Sequence, residues 1–154
     1  MPYFGEVSES RLITCQRPIR VVMRRVIERV DFSVLCGART LEEQQGHFNA
    51  DPPRSTLDGI IKISKHQIGL EANRELSAAI DVVPYPVELH GVEAWDDNVR
   101  FALFAGEVLA TGWELGVELR WGGDWDGDGS AANQNFHDWP HFELVTEVGD
   151  EFPW

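Results

Sequence analysis

Positive charge is scarce in this chain. Thirteen Lys and Arg stand against 26 Asp and Glu, which gives a formal net charge of −13 and a pI near 4.6. A nucleic-acid partner is excluded on this ground, because phosphate binding needs clustered basic side chains. So is simple electrostatic attraction to an anionic membrane or wall. Such a target must be found by specific contacts, and part of the acidity is free to serve a cation. Cysteine is also sparse: Cys15 and Cys36 are the only two. They make no disulfide framework, and both are expected as reduced, largely buried thiols. No run of 18 apolar residues is present, so no membrane-spanning helix is expected. The opening MPYFGEVSESRL has neither a basic n-region nor an apolar h-region. It does not read as a secretory signal, and the expected place of the protein is the cytoplasm until something releases it. Internal repeats and low-complexity tracts are missing too.

What remains is an ordinary globular composition. The chain has 154 residues, 43% of them apolar and 25% charged, with six Trp and eight Phe. That suits a single domain, residues 1–154, around one core. Pro18 and the apolar series Val21, Val22, Val26, Ile27 and Val30 predict an amphipathic helix over about 17–30. Phe32–Cys36 reads as a strand and Leu41–Phe48 as a helix. Ile60–Ile63 reads as a short strand or extended edge, and 70–78 as holding a helical turn. A strand is expected from Ala79 to Val83, stopped by Pro84-Tyr85-Pro86. Asp96 or Asp97 caps a long helix that runs to Leu115, with Gly116 as its stop. Apolar residues lie almost all round this helix, which predicts a buried central one. Strands at Val117–Trp121 and His141–Val145 flank a Gly-, Asp- and Asn-rich loop. Helices first and short strands later make an α+β fold.

Three separated segments offer metal-ligand types beside turn residues: Ser64-Lys65-His66, Ala79-Ile80-Asp81-Val82-Val83-Pro84, and His137-Asp138-Trp139-Pro140-His141-Phe142-Glu143. Asp81 lies inside an apolar strand, where an unpaired carboxylate is costly to bury, so it needs a cation or donors. Catalytic zinc takes three protein ligands and keeps a position for water. Two neutral imidazoles and one carboxylate leave such an ion net positive, able to acidify water and polarise a carbonyl. Asp138, three residues before His141, is close enough to share the site as a base. Taken singly, each residue also has a plain reading: a surface histidine, or a strand aspartate paired with an arginine.

Asp124-Trp125-Asp126-Gly127-Asp128-Gly129 has the D-x-D-x-D-G form of a calcium loop. Position 12 holds Asn135 in place of the bidentate Glu, and no helix pair flanks the loop. The alternative is a solvated acidic turn.

The order of these segments resembles the D-alanyl-D-alanine carboxypeptidase superfamily of zinc peptidases. The likeness is greatest to the L-alanyl-D-glutamate endopeptidase endolysins of phages. It is carried by Phe32 to Gln44 (FSVLCGARTLEEQ), Ser64-Lys65-His66-Gln67, Ala79 to Pro86, Leu119 to Trp125 and Asp138 to Glu143, nearly the whole chain. The resemblance implies a compact hedgehog/D-Ala-D-Ala peptidase-like α+β domain, with a small, mainly antiparallel sheet packed on helices. It implies zinc held by His66, Asp81 and His141, with Asp138 as the base that deprotonates the attacking water. Arg39 would lie in the cleft, facing a substrate carboxylate or the developing oxyanion; its alternative is a salt bridge to Glu42 or Glu43. The expected substrate is the peptidoglycan stem peptide, cut by a monomer between L-alanine and D-glutamate. Release from the host cytoplasm would follow opening of the membrane by a holin. Some endolysins of this type respond to calcium, which favours Asp124, Asp126 and Asp128 as a second site. One departure stands out. Fourteen residues separate His66 from Asp81, more than the family pattern has, and Asn73 stands where an uninserted motif would place its Asp. Asp81, followed by Val-Val-Pro, is the better match. The rival activities are a D-alanyl-D-alanine carboxypeptidase and, in another class, a non-catalytic wall-binding module with zinc or calcium.

Overall fold

Apolar spacing and caps decide where the helices form. In the computed structural model, which describes residues 2–147, Pro18 sits in the first turn of helix α2 (Arg17–Ile27). Ile19, Val22, Met23, Val26 and Ile27 line its buried face. Its outer face carries ion pairs of Arg24 with Glu9 and of Arg25 with Glu28. Helix α1 (Glu6–Leu12), not foreseen from the sequence, buries only Leu12 and packs on the first strand. Helix α3 (Leu41–Phe48) opens with a capping box: Thr40 Oγ1 accepts from the Glu43 amide, and the Glu43 carboxylate accepts from the Thr40 amide. Helix α4 (Asn98–Glu114) is capped by the Asp97 carboxylate, which accepts from the Arg100 amide at 2.9 Å.

The sheet gives the molecule two working faces. Strands β1 (Phe32–Cys36), β2 (Ala79–Pro84), β6 (His141–Leu144) and β5 (Leu119–Trp121) lie in the order β1-β2-β6-β5, every pair antiparallel. Side chains alternate between faces along each strand. Val34, Ile80, Val82, Phe142 and Leu144 point one way and are almost wholly buried. Helix α4 packs on β2 and β5, and α2 packs on α4. The opposite face carries Asp81, His141 and Glu143. A small hairpin of β3 (Glu88–Leu89) and β4 (Val92–Glu93) leads into α4 through a 3-10 turn, Ala94–Asp96. The α+β arrangement is the one expected.

Three local expectations fail for identifiable reasons. Ile60–Ile63 is no strand: the Asp58 carboxylate accepts from the amides of Ile60, Ile61 and Lys62, so a side chain takes the groups a sheet would use. Residues 70–78 hold hydrogen-bonded turns and no helix. Gly69 and Arg74 bond each other through the backbone, with Asn73 at φ 50° between them. Helix α4 is not buried all round. Val99, Leu103 and Trp113 are 71%, 75% and 85% exposed, because the helix covers one face of a single sheet and its outer flank meets solvent.

Gly37, where β1 ends, is a point of close approach. A Cβ there would run into Thr14 Oγ1 and the Arg11 carbonyl at the end of α1. Gly37→Ala is therefore expected to destabilise the fold by about 1–3 kcal/mol, the usual cost of overpacking. Urea unfolding would show this as a lower midpoint at constant m, and an unchanged midpoint would contradict the packing described.

Candidate metal centre

The cross-strand register builds the centre. Asp81 on β2 lies directly opposite His141 on β6. Residues so paired share a face, and their side chains meet. His66 comes from a loop, not a strand, and is pinned by its neighbours' backbone. The Arg39 amide donates to the His66 carbonyl at 2.8 Å, the Ile68 amide to the Arg39 carbonyl at 3.0 Å, and the Ala78 amide to the Lys65 carbonyl at 2.9 Å. Buried Ser64 adds an acceptor, its Oγ taking the His66 amide at 3.2 Å.

His66 Nε2, Asp81 Oδ1 and His141 Nδ1 form a triangle with all three sides 3.1 Å. For bonds of 2.0–2.1 Å, the edge of a tetrahedron is about 3.3 Å. The far nitrogens fix the tautomers. His66 Nδ1 donates to the Gly37 carbonyl at 2.7 Å, and His141 Nε2 donates to Glu143 Oε2 at 3.0 Å. With those protons committed outward, two imidazole lone pairs and a carboxylate oxygen face one point. That donor set fits zinc, and the outward partners are of the kind that orient metal-binding histidines. The spacing of fourteen residues is no obstacle: Asp81 reaches the triangle, while Asn73 is exposed in its turn.

The electrostatics follow from this crowding. Burial alone would raise the Asp81 carboxyl, but His66 and His141 override it and hold it well below the usual carboxylate range. Burial would lower both imidazoles, yet Asp81, with Glu143 at His141, pushes them above their ordinary value. Asp138 behaves oppositely. Burial and then the charge of Asp81 raise its carboxyl, and His141, His66 and Arg39 only partly offset this. Among the described residues no side chain donates a hydrogen bond to it. Its backbone is fixed by the Gly122 carbonyl at 2.8 Å, and a Cβ at Gly122 would strike the Asp138 carbonyl.

Arg39 sits within the same group, not with Glu42 or Glu43. Nη1 donates to Gln44 Oε1 at 2.9 Å, and Nη2 lies 3.9 Å from Asp81 Oδ2. Fully buried Gln44 is itself held by Ser55 and the Leu57 carbonyl. His137 is less free than an exposed loop residue: it bonds the Ala131 carbonyl and stacks on Trp139. Trp121 belongs to the core, while Trp125 places its ring 5.5 Å from that of His141. Cys15 and Cys36 are free thiols; Cys15 is buried and pushed up to about 12, first by that burial. Cys36 is only half-buried.

Two contributors were not singled out from the sequence. Glu143 carries no ligand signal of its own in its motif, although the alternation His-Phe-Glu already puts it on the face of His141. The Gly37 carbonyl carries no residue-type signal at all. Away from the centre, carboxylate oxygens of Asp124, Asp126 and Asp128 gather within 4.8 Å of one another. Backbone amides of Gly127, Asp128 and Gly129 bond Asp124, and Asn133 and Gln134 bond Asp128 and Asp126.

Comparison with known proteins places the chain among peptidases. A family model described as phage L-alanyl-D-glutamate peptidase matches residues 2–145. The L-alanyl-D-glutamate peptidase of Escherichia phage T5 is 30% identical over 153 residues, covering 92% of this chain and 97% of that protein. The crystal structure of the L-Ala D-Glu endopeptidase ChiX from Serratia marcescens matches with a TM-score of 0.59 and 27% identity, over 92% of this chain and 89% of that one.

Protons and a cation compete for the same three donors. In the metal-free protein the raised imidazoles contribute stability below their unfolded pKa, and it is lost as pH rises through the higher folded values. The depressed Asp81 contributes above its unfolded pKa, and that part is lost on acidification. Cation binding must displace the imidazole protons, so zinc affinity should climb as pH rises above about 6.5. Calorimetry in buffers of different ionisation enthalpy should show net proton release. Affinity independent of pH both below and above about 6.5 would rule out the two histidines as ligands.

Proposed function

The chain belongs to the phage L-alanyl-D-glutamate peptidase family, and from that premise we propose that it hydrolyses the L-alanyl-D-glutamate bond of the peptidoglycan stem peptide with zinc held by His66, Asp81 and His141. The supporting observation is the 3.1 Å triangle of donor atoms, with both histidine tautomers set by outward hydrogen bonds. When bound, zinc supplies Lewis acidity, which acidifies water and polarises a carbonyl. Asp138 takes a proton from the attacking water and returns it to the leaving amine. Arg39, tethered by Gln44, brings fixed positive charge for a substrate carboxylate or the oxyanion.

In this reading residues 1–154 form one zinc peptidase domain, acting as a monomer. It reaches the wall from the host cytoplasm through a holin lesion, in keeping with the phage family. No helix among the described residues is long and apolar enough to cross a membrane. The loop of Asp124, Asp126 and Asp128 serves as a calcium site, supported by the gathering of its carboxylates.

Purified peptidoglycan treated with the protein should release fragments with new N-terminal D-glutamate, read by mass spectrometry. Free D-alanine in their place would make it a carboxypeptidase. Asp138→Asn should keep zinc and fold but lower kcat by about 10²–10⁴-fold; undiminished turnover would remove Asp138 from the mechanism. His66→Ala should lose both zinc and activity. Calcium titration should raise the Tm of the wild type and do little for Asp126→Ala. A Tm indifferent to calcium in both would retire the loop as a site.

A further inference from the structure

Cys36 has no part in the mechanism above, yet the fold delivers it to the metal centre. The pairing of β1 with β2 runs Val34↔Val82 and then jumps to Cys36↔Asp81, leaving Leu35 without a partner. This is a β-bulge, the device by which a strand gains one residue and re-aims those that follow. In unbroken register Leu35 would face Asp81, and the thiol would turn with Ile80 toward the core. With the bulge, Cys36, Asp81 and His141 form one cross-strand row over β1, β2 and β6. The result is a second donor set overlapping the first. The Cys36 sulfur, a His66 ring nitrogen and an Asp81 carboxylate oxygen all lie within 4.8 Å of one another. Arg39 Nη2 lies 3.8 Å from the same sulfur, placing a cation beside it. The other cysteine offers no confusion: Cys15 is wholly buried and bonds the Ala79 carbonyl.

We propose that Cys36 is a fourth, exchangeable protein ligand of the metal centre, closing it in the resting enzyme and giving way to water for turnover. Zinc accepts thiolate beside imidazole and carboxylate. On ligation the thiol proton passes to solvent and a sulfur–metal bond forms; on exchange a water takes that position and the thiol regains a proton. Softer divalent ions should hold the sulfur more firmly than zinc does. The inference rests on the proposed metal binding by His66, Asp81 and His141.

The test uses the full chain, stripped of metal and reloaded with Co²⁺. Wild type should show the ligand-field bands of four-coordinate cobalt together with a thiolate-to-cobalt charge-transfer band in the near ultraviolet. Cys36→Ser should keep the first and lose the second. Ligand-field bands without charge transfer in wild type would overturn the role of Cys36 and leave the three-ligand centre standing. No cobalt binding by a folded wild type would overturn the centre itself. X-ray absorption of the zinc-loaded wild type needs no variant. It should show one sulfur at about 2.3 Å beside nitrogen and oxygen at about 2.0–2.1 Å; a shell of nitrogen and oxygen alone refutes the proposal.

Discussion

Two imidazole lone pairs and one carboxylate oxygen held 3.1 Å apart repel one another unless something positive lies between them. The rest of the structure is organised around that constraint. Rotation of either ring would relieve the repulsion, and each is prevented by a hydrogen bond on its far side, to the Gly37 carbonyl for His66 and to Glu143 for His141. Those partners are fixed in turn. Gly37 is wedged against the end of α1, and Glu143 shares a strand face with the ring it holds. The repulsion is thus built into the fold, and protons or a metal ion must answer it.

The sheet makes this affordable in stability because each strand carries two kinds of cargo. On β2, Ile80 and Val82 are fully buried toward the helices, and Asp81 between them faces away. On β6, Phe142 and Leu144 do the same for His141 and Glu143. Charged donors therefore sit one residue from the core without entering it. Burying hydrocarbon at about 25 cal/mol per Å² secures the strands, and their antiparallel register then sets donor separations that loops alone would hold less well.

Much of this was legible in the sequence. The turn residues around Ala79–Pro84, the alternation in His141–Val145 and the helical spacing over about 17–30 are local signals, and these elements form close to where they are expected, the helix ending at Ile27 and the strand at Leu144. The three donor residues came from motif order, and the structure brings their side chains together. Other features depend on tertiary context that no local pattern carries. The β1 bulge that turns Cys36 toward Asp81 is a property of a strand pair. The Gly37 carbonyl is backbone, invisible to residue type. The apolar spread of α4 suggested burial on all sides, because composition does not tell how many layers a fold has. Ile60–Ile63 looked strand-like until the Asp58 carboxylate took up its amides.

Asp81 and Asp138 show how environment, not residue type, divides labour between two carboxylates. Both are partly shielded from water, and that alone would raise both. Asp81, set against His66 and His141, is held well below the usual carboxylate range and stays ionised. Among the described residues no side chain donates to Asp138, and burial first, then the negative charge of Asp81, raise its carboxyl. The two shifts are linked, since the charge kept on Asp81 is part of what lifts Asp138. A cation in the triangle would offset that charge and draw Asp138 back down. The pKa of Asp138 is therefore coupled to the occupancy of the neighbouring triangle, and in a loaded centre it would belong to the centre as a whole.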